Sequence, residues 1–318
     1  MEQQPMSQYS ITTKPYRDFS EYFRSIFPFK VQKISINAGF TCPNRDGASG
    51  RGGCAYCNNK SFTPDYTAKF GSITQQMQDG IRFFSHKYPE MKYLAYFQSY
   101  TNTYGDDISS MIDRYEEALG VQDTVGIIIG TRPDCMPSAL LDYFEELSKR
   151  TFVYIEYGVE STSDRTLDAI NRGHDYATSV RAIEETARRG LPVGAHLIIG
   201  LPGESREDFV GHIKALSQLP ITSLKLHQLQ ILKGTILGRT FLQDPSSIPL
   251  LSPEEYLDIV GDLVAHLRPD IYIDRFVSSS PADLLIAPKW NLKNHVFTHK
   301  IIRHLEANNI KQGMAFNG

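Results

Sequence analysis

The sequence predicts an α/β fold built on a parallel sheet, and three observations carry that prediction. Six short runs rich in β-branched and aromatic residues alternate with helical patterns between residue 31 and about residue 230. The runs recur at roughly 30–40 residue intervals, room for a strand, a helix and two connections. Capping signals punctuate the helical stretches where such a rhythm requires them.

Residues 1–30 read as an N-terminal helical extension. The strands that follow are "VQKISIN" (31–37), "MKYLAYFQSY" (91–100), "TVGIIIG" (124–130), "FVYIEYGVE" (152–160), "LPVGAHLIIG" (191–200) and "SLKLHQLQI" (223–231). Between them lie helix-like segments: "SITQQMQDGIRFFSHKY", "DDISSMIDRYEEALG", "PSALLDYFEELSKR", "YATSVRAIEETARRG" and "SREDFVGHIKALSQ". Gly190 closes the fourth of these, and Ser205 with Asp208 opens the fifth. Beyond residue 235 the rhythm changes. A loop, "QDPSSIP", leads to a helix at Ser252–Pro253–Glu254–Glu255, where Ser252 caps, Pro253 suits the first turn and Glu255 completes a capping box. A short strand in "DIYIDRFV" and a helix near 291–308 end the chain. The expected organisation is a core over 31–235 and a C-terminal extension over 236–318 that faces the substrate.

Composition narrows the class. A chain of 318 residues, 41% hydrophobic and 22% charged with a formal net charge of −3, suits a globular protein with a large core. No run of about 18 uncharged apolar residues is present, so no membrane-spanning helix is expected. The N-terminus lacks the apolar segment of a secretory signal, which points to the cytoplasm. Four cysteines in that setting favour metal or redox chemistry over disulfides. The segment from Arg268 to Gly318 carries seven Lys/Arg against four acids, a local excess on an acidic chain.

Three of the cysteines, Cys42, Cys54 and Cys57, fall in the glycine-rich loop after the first run, with eleven residues and then two between them. Glycine lets such a loop fold back and gather distant thiolates. Structural zinc normally takes four protein ligands, and no histidine lies in the loop; a three-ligand catalytic zinc stays open. A [4Fe–4S] cluster held by three cysteines would leave one iron free for another ligand. Three buried hydrophobic cysteines fit poorly among Gly, Asn and Arg. Cys135, beyond the third run, reads as a packed thiol.

The three-cysteine loop after the first strand, with Tyr56 before the last cysteine, resembles radical S-adenosylmethionine (SAM) enzymes. Its long first spacing is similar to the branch that includes the elongator catalytic subunit. "PYRDFSEYFRSIF", "CPNRDG", "YTNTY", "TRPD", "LKGT" and "LLIAPKWNLKN" resemble the YhcC/YtqA-type subfamily over most of residues 15–310. The resemblance implies a partial (β/α)6 TIM-like barrel with a small C-terminal α/β extension. It implies that Cys42, Cys54 and Cys57 hold a [4Fe–4S] cluster whose open iron binds SAM, with Tyr56 near the adenine. The other strand ends would complete the SAM site: Gln98, Ser99, Thr101 and Asn102 after the second strand, and Thr131 with Arg132 after the third. Glu156 and Glu160 on the fourth are carboxylates in an apolar strand, which calls for a ligand or a cation, and Arg172 is the candidate partner. Gly200 and Leu201 in "IIGLPGES" are similar to an adenine-binding strand.

Alternation on the sixth strand turns Gln230 and Lys233 toward the mouth, and with Arg275 and Lys289 these are the candidate substrate contacts. His227 reads as a satisfied core or rim histidine. By the resemblance, the enzyme generates a 5′-deoxyadenosyl radical with electrons from a donor such as flavodoxin or ferredoxin. The expected substrate is tRNA at the side chain of a wobble uridine. Trp290, Phe297, Phe276 and Tyr272 fit a stacking platform, and fit better the core of an appended subdomain. Two other readings stay open: a radical enzyme acting on a small metabolite, and a non-catalytic zinc or iron–sulfur module.

Overall fold

The computed structural model describes residues 14–62, 71–85, 90–105 and 107–317. The first thirteen residues of the expected N-terminal extension, and the end of the helical segment at 86–88, lie outside the described residues. Seven parallel strands form the main sheet: β1 (Val31–Ile36), β2 (Lys92–Phe97), β3 (Thr124–Thr131), β4 (Phe152–Glu160), β5 (Val193–Ile199), β6 (Ser223–Gln228) and β8 (Tyr272–Arg275). They lie side by side in that order. A two-stranded antiparallel pair, β7 (Ile231–Leu232) with β9 (Leu285–Ala287), stands apart. Each of the six expected strands is present, and β8 extends the sheet beyond residue 235 as its seventh member.

The helices that connect the strands pack on the outer face of the sheet. They are α3 (Ile73–Ser85), α4 (Ile108–Leu119), α5 (Ser138–Ser148), α6 (Asp164–Ala169), α7 (Tyr176–Arg188) and α8 (Arg206–Ser217). Strand β4 shows how alternation divides the two faces. Val153, Ile155, Tyr157 and Val159 go outward into the main apolar core with Phe144 and Ile183. Tyr154, Glu156 and Gly158 go inward, at period two. The helix after residue 235, α9 (Ile236–Gln243), is followed by α10 (Pro253–His266), which starts with the expected capping box from Ser252 and Glu255. The last helix, α11 (Asn294–Ala307), packs on α10. Trp290 stacks on Phe297 at 5.2 Å and lies 5.4 Å from Tyr256, while Phe276 packs edge-on to Tyr16. These aromatics are core, as the sequence favoured, rather than a stacking platform.

The sheet curls until its two edges meet across a lumen. Lys33 on β1 reaches Asp274 on β8 at 3.1 Å and Glu156 on β4 at 3.3 Å. Below this contact the lumen is plugged by α1 (Phe19–Ile26). Asp18 and Glu21 form its capping box, and Phe19, Tyr22 and Phe23 share one face at helical spacing. Phe19 packs on Tyr154 at 5.4 Å and Tyr22 on Tyr272 at 5.4 Å, so the bottom of the barrel is sealed by rings.

Above the rings lies a buried ionic layer. Lys225 donates to Glu156 at 2.7 Å and to the Tyr96 hydroxyl at 3.2 Å, and forms an ion pair with Asp274 at 3.1 Å. Tyr96 and His196 donate to Glu156 at 2.6 and 3.0 Å. Burial works to raise the Asp274 carboxyl, but Lys33 and Lys225 outweigh it and hold the group at about 2. A carboxyl depressed in the folded state stabilises fully above its unfolded pKa of about 4 and loses that contribution as pH falls toward 2. Asp274→Asn is therefore expected to unfold at lower urea than the unmodified protein at pH 7. The difference between the two should shrink as pH falls from about 4 toward 2, followed by tryptophan fluorescence. A constant difference across that range would remove the ionised Asp274 from the stability of the fold.

Candidate functional site

The loop after β1 brings its cysteines together by a short helix and a glycine return. Cys42 precedes α2 (Pro43–Asp46), and its carbonyl accepts from the Arg45 amide at 2.8 Å. The chain then turns back through Gly52 and Gly53, both at positive φ. A Cβ on Gly53 would sit 3.1 Å from the Arg45 guanidinium. A tight turn, with the Cys57 amide donating to the Cys54 carbonyl at 3.0 Å, brings Cys57 beside Cys54. The loop is pinned to the segment after α6 by Asn171, which donates to the Gly53 carbonyl at 2.9 Å, and by the Ala55 amide, which donates to Ile170 at 2.8 Å. Asn44, fully buried, donates to the Asn171 carbonyl.

Two guanidinium groups surround the buried Cys54 thiol. Arg172 donates to its sulfur at 3.5 Å, Arg132 stands at 3.9 Å, and the Asn44 amide adds a donor at 3.5 Å. Burial works to raise this thiol, yet Arg172 and Arg132 outweigh it and lower its pKa. Cys57 behaves oppositely: enclosure and the neighbouring Cys54 charge push it up to about 12. An ionised Cys54 thus opposes ionisation of Cys57 beside it.

The donor set tests what group belongs here. The three thiols share the wall of one cavity, but among the described residues no three Cys, His, Asp or Glu side chains gather closely enough to hold a single ion. Three thiols on one wall suit a group that bonds each sulfur through its own metal atom. The Arg172 Nε is buried without a hydrogen-bond partner beside the thiols, a donor left for a ligand. These residues fit an iron–sulfur cluster with a polar ligand next to it.

The cavity encloses about 1160 Å³ including its open mouth, at the C-terminal ends of the strands. Tyr56 lies between the cysteines on its wall, and Gln98, Thr101 and Thr131 line it from the ends of β2 and β3. Glu160 and Arg172 close around Gly158, where a Cβ would come within 2.4 and 3.0 Å of them. A larger residue there would push both side-chain ends aside. Gln230 also lines the cavity, its amide held by Ser278 and Ser280.

Other expected residues stand elsewhere. Asn102 does not face the cavity; its amide donates to the Phe97 and Gly130 carbonyls at 3.0 and 2.7 Å and stitches β2 to β3. Gly200 packs toward Leu229 and Leu251, and Leu201 is buried in an apolar cluster; β5 reaches the wall through His196 and Ile198 instead. Glu156 lines the cavity floor, but its partner is not Arg172. It points one layer deeper, where Lys225, Lys33, Tyr96 and His196 occupy both oxygens. Burial works to raise it, and the two lysines and His196 hold it well below the usual carboxylate range. Lys233 is exposed just past Leu232 on the cavity wall; Arg275 is half-buried on β8; Lys289 is exposed on a neighbouring cavity. Cys135 is a buried thiol outside the cavity.

Sequence reasoning missed the floor. His196, His227 and Tyr96 line the cavity with Glu156, and Lys225 lies beneath. The signal was present in "SLKLHQLQI": a lysine and a histidine two apart in an apolar strand mark a polar lumen face.

Residues 40–216 match the model of the radical SAM superfamily, and residues 221–307 match the radical SAM C-terminal domain. The chain is 33% identical over 315 residues to YtqA of Bacillus subtilis (strain 168), covering 97% of this chain and 95% of that one. It is 36% identical over 262 residues to YhcC of Escherichia coli (strain K12), 82% of each. In fold it is similar to the archaeal Elp3 of Methanocaldococcus infernus, with a TM-score of 0.67 and 15% identity. That likeness covers 89% of this chain and 64% of the Elp3 chain. Superfamily members use a [4Fe–4S] cluster and SAM, the kind of group the thiol cavity fits. The curled parallel sheet and these matches lead to one assignment: the chain belongs to the radical SAM superfamily, and it is an enzyme.

Proposed function

We propose that this enzyme modifies tRNA, at the side chain of a wobble uridine. The observation that carries the reading is a rim of unpaired cations around the cavity mouth. On one bank, Lys60 follows Asn59 of the cavity wall, and Lys233 is tied to the same loop by Asn58, which donates to its carbonyl at 2.8 Å. On the other, Lys289 and Lys293 border a second cavity that shares Gln228, Gln230, Ser278 and Ser280 with the first. All four are exposed, and among the described residues none enters an ion pair. Many cations on the helical outer face are paired instead: Lys149 with Glu146, Arg150 with Glu116, Arg188 with Glu185 and Arg206 with Asp262. Unneutralised charge on both sides of an opening suits a phosphate backbone whose base enters it.

Within the cavity the chain's own residues divide the work. Cys42, Cys54 and Cys57 would hold the cluster, and Tyr56, Gln98, Thr101, Thr131, Glu160 and Arg172 are placed to bind SAM. When bound, cluster and SAM supply a 5′-deoxyadenosyl radical that takes a hydrogen atom from the substrate. Arg172 and Arg132 stabilise the Cys54 thiolate, and the sealed lumen below keeps water from entering through the bottom of the barrel. A one-electron donor such as flavodoxin or ferredoxin would reduce the cluster.

Anaerobically reconstituted and reduced protein should release 5′-deoxyadenosine from SAM faster when given tRNA from cells that lack the gene. Digestion of that tRNA should show a mass change confined to one wobble nucleoside. Stimulation by a small-metabolite fraction and not by tRNA would overturn the substrate assignment. Cys54→Ala should lose both iron and 5′-deoxyadenosine release; a variant that kept both would exclude Cys54 as a ligand.

The rim makes its own prediction. Lys289→Ala/Lys293→Ala should weaken tRNA binding and reduce the slope of log K against log salt by about 2, read by filter binding. An unchanged slope would place the RNA elsewhere or exclude it.

A further inference from the structure

His227 lies on β6, two residues above Lys225 on the same lumen face, and it lines the cavity. Its Nε2 is shielded from water and makes no hydrogen bond. Native structures rarely leave such an atom unpaired, because burial without a partner costs free energy. Its neighbours cannot supply the bond. The Glu156 carboxylate is engaged by Lys33, Lys225, Tyr96 and His196. The His196 ring is 5.5 Å away, centre to centre, and its Nε2 is committed to Glu156.

We propose that His227 is a substrate-contacting residue, whose Nε2 hydrogen-bonds an uncharged polar group of the substrate, an amide-like N–H or carbonyl. The ionic floor is what makes it suited to an uncharged partner. The charged and titratable groups around it are His196, Arg275, Lys225 and Glu156; burial comes first, then His196, Arg275 and Lys225, in holding the imidazole neutral, against Glu156 alone. A neutral imidazole forms one directional bond through Nε2 and does not select for a carboxylate or phosphate. Those charges are met at the rim. The base edge of a nucleotide presents groups of the required kind. The inference rests on the proposed SAM-dependent reaction taking place in this cavity, not on the substrate being RNA.

The test separates a functional histidine from a structural one. In His227→Leu, an apolar side chain replaces an unsatisfied polar atom, so the thermal midpoint should stay at or above that of the unmodified protein. With reduced, cluster-loaded enzyme and tRNA from cells that lack the gene, product formed per 5′-deoxyadenosine released should fall by about tenfold or more, since the substrate is no longer aligned. His227→Gln, which keeps hydrogen-bonding capacity, should recover part of that ratio. A midpoint several degrees lower in His227→Leu would make the residue structural and overturn the proposal. So would an unchanged ratio. If the unmodified enzyme makes no product from tRNA, the RNA assignment fails separately. The same ratio is then measured with a small-metabolite fraction from those cells, and His227 is judged on it together with the midpoint.

Discussion

Glu156 accepts from four side chains on four strands, and the barrel above it depends on that meeting. Lys33, Tyr96, His196 and Lys225 arrive from β1, β2, β5 and β6, and Asp274 on β8 shares both lysines. A carboxylate at 1% exposure is costly unless its charge is met. Here it is met by two ammonium groups that a second carboxylate balances. The layer draws the two edge strands of an open sheet toward each other, because Lys33 bridges β1 to β8. It is also a boundary: aromatic rings seal the barrel below, and the cavity opens above. Removing one member would leave an opposing charge buried without its partner, which is why such layers fail abruptly.

The cavity wall poses the same problem in another form. An ionised Cys54 opposes ionisation of the Cys57 thiol beside it, and the structure favours Cys54, with Arg172, Arg132 and Asn44. Arg132 is itself fixed by a paired contact to Asp134 at 2.9 and 2.8 Å, and by the Arg172 carbonyl at 2.7 Å. Positive charge is thus built into the wall before any metal arrives. Gly53 and Gly158 leave the room that this crowding requires.

Local pattern made the fold legible. Apolar runs with β-branched residues, helix caps at Ser205 and Ser252, and the glycine after α7 marked the elements nearly to their ends. The three cysteines were legible because their residue types have few other uses in a glycine-rich loop. What was hidden came from layering across strands. Glu156 and Glu160 are four apart on one strand face, and the sequence grouped them with Arg172. One layer of the barrel separates their environments: the register sets Glu156 beside Gly194 and Ser223, and only the contact across the lumen joins it to Lys225. Asn102 and Gly200 looked like ligands because polar and glycine residues at strand ends often are. Asn102 instead satisfies two strand-end carbonyls, and Gly200 turns toward Leu251. His227 was passed over for the converse reason. A histidine in an apolar strand suggests a satisfied core residue, and its missing partner is visible only in three dimensions.

The central claim is that three cysteines hold a [4Fe–4S] cluster with one iron open to SAM. Its most direct test is electron paramagnetic resonance of anaerobically reconstituted, dithionite-reduced protein before and after SAM is added. The account predicts about four irons per chain and a cluster signal that changes on addition of SAM. Tightly bound zinc, or a cluster signal that SAM leaves untouched, would contradict it.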